Sequence, residues 1–204
     1  FGEQGNDKLD GGQDIDLLDG GAGKDTLLGG DGLDALLGRE GDDKLLGQAG
    51  DDRLFGDFGK DTLAGGAGDD NLYGGKDSDR LTGGQGSDIL IGGGGNDRLI
   101  GSQGRDYFAF NSPDQGIDTI QDFSLVDDYI QVSANGFGGG LTQGTGTVDV
   151  VLGVAATANS AQFIHNTRTG ALLFDEDGIG GANAEQFATV RGVELRSVDF
   201  SVVV

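Results

Sequence analysis

An aspartate returns at every ninth residue across more than half of this chain: Asp7, Asp16, Asp25, Asp34, Asp43, Asp52, Asp61, Asp70, Asp79, Asp88, Asp97 and Asp106. General acid–base chemistry needs two differentiated carboxyl groups across a cleft, which a regular array of identical ones does not supply. Such an array suits many equivalent cations instead. If successive units stack at the ~4.8 Å spacing of β-strands, the carboxylates pile up along an edge, and that is favourable only with hard cations between the turns. Six to eight oxygens at ~2.3–2.6 Å is the preference of calcium, whereas magnesium demands a rigid octahedron and keeps its waters. Zinc takes imidazole and thiolate, and the chain has one histidine and no cysteine. Calcium is the expected ligand.

The elements that must hold these groups are legible in the same period. The unit G-x-x-(G/D)-x-D-x-(L/F)-x occurs twelve times from Gly2 to Ala109 without insertion or deletion. Position one is always Gly, and position four is Gly except at Asp14 and Asp77. Glycine at these points permits positive φ, and Asp tolerates it better than most residues. The first six residues of each unit therefore read as a tight turn and the last three as a very short strand. Position eight is Leu9, Leu18, Leu27, Leu36, Leu45, Leu54, Leu63, Leu72, Leu81, Leu90, Leu99 and Phe108, a core one side chain wide. One unit cannot bury its own leucine, so units must stack. Two nonapeptides make one turn of a flattened coil with two facing parallel sheets. The aspartates then form two edge ladders whose gaps take roughly ten calcium ions in total. Their charge of ~+20 nearly cancels the formal net charge of −22, from 13 basic and 35 acidic residues.

Composition removes other classes. So acidic a chain repels nucleic acid and anionic lipid, and neither is an expected partner. Glycine, at 43 residues, has no G-X-Y period, so the chain is not collagen. No disulfide framework is possible, and no apolar run approaches the ~20 residues of a membrane span. No signal peptide is visible ahead of the first repeat, and Phe1 fills a ninth-position slot, so the chain is expected to be the C-terminal part of a longer protein with domains upstream. His165, the lone histidine, rules out an H-E-x-x-H site and has no G-x-S-x-G partner. Gly59-Lys60-Asp61-Thr62 is only superficially a phosphate loop, because Asp replaces the required Ser or Thr. No catalytic residue and no organic cofactor site is assigned: the fragment is not expected to be an enzyme, and any catalysis would lie upstream of Phe1. At position nine, Leu28, Leu37, Leu46, Phe55, Tyr73, Ile91 and Ile100 face outward, either as ordinary exposed apolar residues or as a docking patch.

The pattern G-G-x-G-x-D-x-(hydrophobic)-x resembles the repeats-in-toxin, or hemolysin-type calcium-binding, family over residues 2–109. The resemblance implies an all-β, right-handed parallel β-roll followed by a C-terminal β capping region. It also implies that each ion lies between turns two repeats apart, held by position-six Asp side chains and by backbone carbonyls of earlier turn positions. Those carbonyls would belong to Gly12, Gly21, Gly23, Gly30, Gly32, Gly41, Gly50, Gly59, Gly66, Gly68, Gly75, Gly84, Gly86, Gly93 and Gly95. Departures at Glu3, Arg39, Gln48, Asp57 and Ser102 in position two, and at Asp14 and Asp77 in position four, put altered geometry near those points.

Gly116–Phe123 and Asp127–Ile130 look like the segment that closes such rolls in secreted bacterial proteases and epimerases, or like an ordinary amphipathic strand pair. Capping strands are thus expected within 110–135, with Asp118 and Asp122 serving the last turns. Residues 136–160 read as a Gly/Thr/Ala-rich connector, and Gln162–Asn166 with Ala171–Asp175 as a hairpin around Thr167–Gly170. Asp175 and Asp177 belong to either another calcium site or an acidic surface turn. The ending Asp199–Val204 resembles a type I secretion signal, or is a final strand, and completes a third region, 136–204.

The implied protein is secreted, extracellular or at the cell surface. It would pass the type I secretion machinery unfolded and fold on meeting calcium. Two other roles fit the same residues: the non-catalytic tail of a secreted protease, lipase or polysaccharide-modifying enzyme, and an adhesin or surface-layer scaffold using its outer sheet face.

Overall fold

The computed structural model describes residues 1–133, 137, 150–152, 162–166, 168–175, 184–190, 193 and 200–203. Eleven six-residue strands succeed one another at nine-residue intervals: β1 (Lys8–Gln13), β2 (Leu17–Ala22), β3 (Thr26–Asp31), β4 (Ala35–Glu40), β5 (Lys44–Ala49), β6 (Arg53–Phe58), β7 (Thr62–Ala67), β8 (Asn71–Lys76), β9 (Arg80–Gln85), β10 (Ile89–Gly94) and β11 (Arg98–Gln103). They are followed by β12 (Tyr107–Phe110), β13 (Asp118–Ile120), β14 (Tyr129–Ser133), β15 (Val150–Leu152), β16 (Gln162–Asn166), β17 (Ala171–Asp175), β18 (Glu185–Val190) and β19 (Phe200–Val203).

Odd strands β1 to β13 stack in one sheet and even strands β2 to β14 in the other, all parallel. Leu27 pairs with Leu45 and Leu45 with Leu63, so each turn consumes two nonapeptides. The chain is a parallel β-roll. Leu27, Leu36, Leu45, Leu54, Leu63, Leu72, Leu81, Leu90, Leu99 and Phe108 are each 0% exposed, and they form the single column between the sheets.

Two local expectations need correction. Each strand has six residues rather than three, because the extended backbone continues through position nine into the next unit. Pairing covers positions seven to nine and then two and three, as in Thr26↔Lys44 to Leu28↔Leu46 and Gly30↔Gln48 with Asp31↔Ala49. The positive φ lies at positions two and four rather than one and four, and even Arg39 (82°), Gln48 (83°) and Asp77 (72°) adopt it. Position one is glycine for want of space: a Cβ on Gly47 would stand 2.3 Å from Asp52 Oδ2 and 2.6 Å from the Gly65 carbonyl oxygen.

Past Ala109 the period lengthens but the stacking persists. β13 pairs with β11 (Leu99↔Ile120) and β14 with β12 (Phe108↔Ile130), and Ile120 and Ile130 continue the buried column. β18 then adds to β13 and β19 to β14, each from 70 residues further along the chain (Thr119↔Thr189, Ile130↔Phe200). β16 and β17 form the antiparallel hairpin expected from their alternation, and β17 also pairs antiparallel with β18. Phe110, Phe137, Phe163, Phe174 and Phe187 pack ring against ring over this end. Most of the expected connector 136–160, Asp177, and both Asp199 and Val204 of the proposed export signal lie outside the described residues. Among the described residues no helix is long and apolar enough to cross a membrane.

Candidate calcium ladders

At the two edges of the roll, where each half-turn ends and the next strand begins, the position-six aspartates face inward. Asp25, Asp34, Asp43, Asp52, Asp61, Asp70, Asp79, Asp88, Asp97 and Asp106 are all buried, and Asp7 and Asp16 at the first turn are partly so. From Asp25 onward each of these carboxylates is held by a peptide from the preceding turn. Asp7 N–H donates to Asp25 Oδ1 at 2.8 Å, Asp25 to Asp43 at 2.7 Å, and Asp43 to Asp61 at 2.7 Å. The odd ladder continues through Asp79 and Asp97, and the even ladder runs from Asp16 to Asp106 in the same way.

Oδ1 is thereby satisfied, but Oδ2 is not. The Oδ2 atoms of Asp7, Asp25, Asp34, Asp43, Asp52, Asp61, Asp70, Asp79, Asp88, Asp97 and Asp106 are buried and accept no hydrogen bond. A buried ionised oxygen without a partner is among the costliest groups a fold can hold. Burial accordingly pushes up six of these carboxyls, against the opposing pull of the peptide N–H: Asp52, Asp61 and Asp88 to about 6, Asp70 and Asp106 to about 7, and Asp79 to about 8. Burial also raises Asp43 and Asp97. A cation against Oδ2 reverses that tendency by favouring the charged form.

Carbonyl oxygens complete the donor set. Beside Gly20, Asp25 Oδ2 and the Gly38 carbonyl converge on the place a Cβ would fill, at 2.5 and 3.0 Å from it, and Gly29 has the same cradle from Asp34 and Gly47. The carbonyls of Gly12, Gly23, Gly32, Gly41, Gly50, Gly66, Gly68, Gly75, Gly86 and Gly95 each lie against a glycine of the following turn. Gly21, Gly30, Gly59, Gly84 and Gly93 share the positive φ of these second and fourth positions. Among the described residues no three acidic or imidazole side chains converge on one point. A cation here must draw on both carboxylates and carbonyls, which is the hard, all-oxygen set that suits calcium. The residues fit the ion.

At the end of the ladders Asp118 and Asp122 take different places. Asp118 accepts from Asp97 N–H at 3.0 Å and is the seventh odd rung. Asp122, exposed, accepts from Gly101 and Ser102 N–H and caps the last repeat strand instead of joining a ladder. The seventh even rung is Asp128, which accepts from Asp106 N–H at 3.0 Å and from Ser124 N–H at 2.7 Å. Burial raises both Asp118, to about 8, and Asp128. The missed signal was the D-x-(hydrophobic) triplet: Asp118-Thr119-Ile120 and Asp128-Tyr129-Ile130 repeat Asp97-Arg98-Leu99 and Asp106-Tyr107-Phe108 at spacings of 21 and 22 instead of 18.

The family profile for the RTX calcium-binding nonapeptide repeat matches residues 1–36, 29–63, 37–72, 55–90 and 73–108. This chain belongs to that family. It is a calcium-binding RTX repeat module, and its two ladders are where the family's repeated aspartate falls. Two solved structures are similar to the RTX chain. The extracellular lipase LipA from Serratia marcescens is 16% identical with a TM-score of 0.33, covering 98% of this chain and 40% of the lipase. The AlgE6R3 subunit of the Azotobacter vinelandii mannuronan C5-epimerase is 25% identical with a TM-score of 0.25, covering 93% of this chain and 79% of that subunit. The RTX chain thus spans less than half the length of the lipase. A search of curated protein sequences gives no significant match.

Proposed function

We propose that this RTX module is the calcium-triggered folding and export segment of a larger extracellular protein. It serves that protein's passage through a type I exporter and its stability outside. The observation that carries the proposal is the row of buried, unpartnered Oδ2 atoms on both edges. Without a divalent ion, ionised aspartates at rung spacing repel one another and lack hydration; with one, each gains a ligand bond. The glycine-rich turns also lose much entropy on ordering. In calcium-poor cytosol the chain stays unfolded and able to thread a narrow channel.

Outside, ions that bind only the coil drive folding by linkage. Roughly ten ions fit between the repeat turns, and the rungs at Asp118 and Asp128 add one gap on each edge. At tenfold excess over Kd each independent site adds about 1.4 kcal/mol, so ten give on the order of 14 kcal/mol. That matches the whole stability of an ordinary domain. The test is far-UV circular dichroism in EGTA and then in millimolar calcium. Coil in the first and β signal in the second are expected, and a calcium-independent β spectrum would refute coupled folding. For the export role, removal of Asp199–Val204 is expected to block secretion while calcium-dependent folding persists.

A further inference from the structure

Position five of the repeat, free in the sequence pattern, carries a second ladder outside the first. Asn6 Oδ1 accepts the N–H of Lys24 (2.9 Å), Asp42 Oδ1 that of Lys60 (3.0 Å), Asp51 Oδ1 that of Asp69 (2.8 Å), and Asp69 Oδ1 that of Ser87 (2.7 Å). Ser78 Oγ takes Asn96 N–H at 3.0 Å, and Asn96 Oδ1 takes Ile117 N–H at 2.8 Å. The polarity is opposite to that of the aspartate ladder. At position six the earlier turn donates to the later side chain, whereas at position five the later turn donates to the earlier side chain. Two consecutive peptides are therefore stitched in opposite directions.

In a trans peptide the N–H and C=O point opposite ways. Holding the N–H of a position-five residue toward the preceding turn holds the position-four carbonyl of the same peptide toward the following one. The contacts agree: with Asp69 N–H on Asp51, a Cβ on Gly86 would stand 2.0 Å from the Gly68 oxygen; with Ser87 N–H on Asp69, a Cβ on Gly104 would stand 1.8 Å from the Gly86 oxygen. With Lys24 N–H on Asn6, a Cβ on Gly41 would stand 1.6 Å from the Gly23 oxygen. These position-four oxygens are among the candidate calcium donors.

We infer that position-five Asn, Asp and Ser are positioning residues that lock the carbonyl donors in place and so grade calcium affinity along the stack. The inference rests on the calcium-ladder reading. Where position five has no acceptor, at Ile15, Lys24, Leu33 and Lys60, the carbonyls of Gly32, Gly41, Gly50 and Asp77 point the same way, 1.5, 1.9, 2.3 and 1.9 Å from a Cβ on the next turn's glycine, but are held by the turn alone. The side-chain bond restrains this orientation and does not create it. On the even edge the unlocked carbonyls are Gly32 and Gly50, early in the roll, and the locked ones are Gly68 and Gly86, later. Calcium should fill the later part of that edge first.

The experiment compares Asp51→Ala, Asp51→Asn and Leu33→Asp with the parent chain, by calorimetric calcium titration and by amide hydrogen exchange at Asp69 and Asp51. Asp51→Ala is expected to weaken the affected sites about two- to tenfold, the worth of one hydrogen bond, and to speed exchange at Asp69. Asp51→Asn keeps the acceptor without the charge and should stay near the parent. Leu33→Asp supplies the missing acceptor for Asp51 N–H and should slow its exchange and tighten binding. If Asp51→Asn is as weak as Asp51→Ala, the side chain acts through its charge and the inference fails. Parent-like binding by Asp51→Ala also overturns it. A parent chain that takes up no calcium would instead refute the ladder reading beneath it.

Discussion

The leucine column and the aspartate columns of this roll are built by the same register, yet they respond oppositely to their own stacking. Leu45, Leu63 and Leu81 lie one above another in the odd sheet and lose water by doing so. Asp43, Asp61 and Asp79, two residues earlier, lie above one another just as regularly and lose water too, but each keeps one oxygen without a partner. For the apolar column, repetition is stabilising in itself. For the charged column it is stabilising only in the presence of a third component. A single period thus writes a constitutive core and a conditional rim into the same strands.

Removing the third component should have the largest effect on that contrast: chelation of calcium is expected to unfold the roll cooperatively, with loss of the β spectrum. Next in size, Leu63→Ala should cost about 2–5 kcal/mol in saturating calcium, read as a lowered melting temperature, because it opens a cavity between two sheets that cannot close over it. Asp52→Asn separates the two columns most clearly. In calcium it should lower ion uptake and melting temperature. In EGTA it should lessen the destabilisation, since a neutral amide replaces a buried charge, and the calcium needed to reach the midpoint of folding should rise. A change of the same sign in both conditions would show that the rim is not conditional.

The pH dependence is smaller and has a definite sign. The folded, ion-free carboxyls stand above their ordinary value of 3.8, at about 6 to 8 for Asp52, Asp61, Asp70, Asp79, Asp88 and Asp106. The stability these groups contribute without calcium is fully present below about pH 4 and is lost as pH rises through about 6 to 8. Calcium competes with those protons, so the concentration for half-saturation should fall as pH is raised from 5 to 8 in titrations monitored by circular dichroism.

The sequence carried the coil's period, the identity of the buried column and the two rows of aspartate, because each depends on one residue type at one spacing. What it concealed depends on the space between turns. Gly47 looks like a turn glycine, but the neighbouring Asp52 carboxylate and Gly65 carbonyl are what exclude a side chain. Asp128 escaped because it keeps its place on the ladder only after the loop lengthens to a 22-residue return. Asn6, Asp42 and Asp51 stand at a variable position, and only their contact with the following turn gives them a role. β18 and β19 reach the roll from 70 residues away, a pairing that no local pattern encodes.

The 18-residue register also fixes which outer face each unit decorates. Leu37, Phe55, Tyr73 and Ile91 fall together on the even sheet, with the Phe55 and Tyr73 rings parallel at 4.8 Å, while Lys44, Thr62, Arg80 and Arg98 fall on the odd one. Because the two half-turns are interchangeable, deletion of one nonapeptide from the middle would leave every buried layer and every rung with a neighbour. It would nonetheless carry everything upstream to the opposite flank, splitting the aromatic stripe across two sides. Lineages that conserve the stripe should therefore gain and lose these units in pairs.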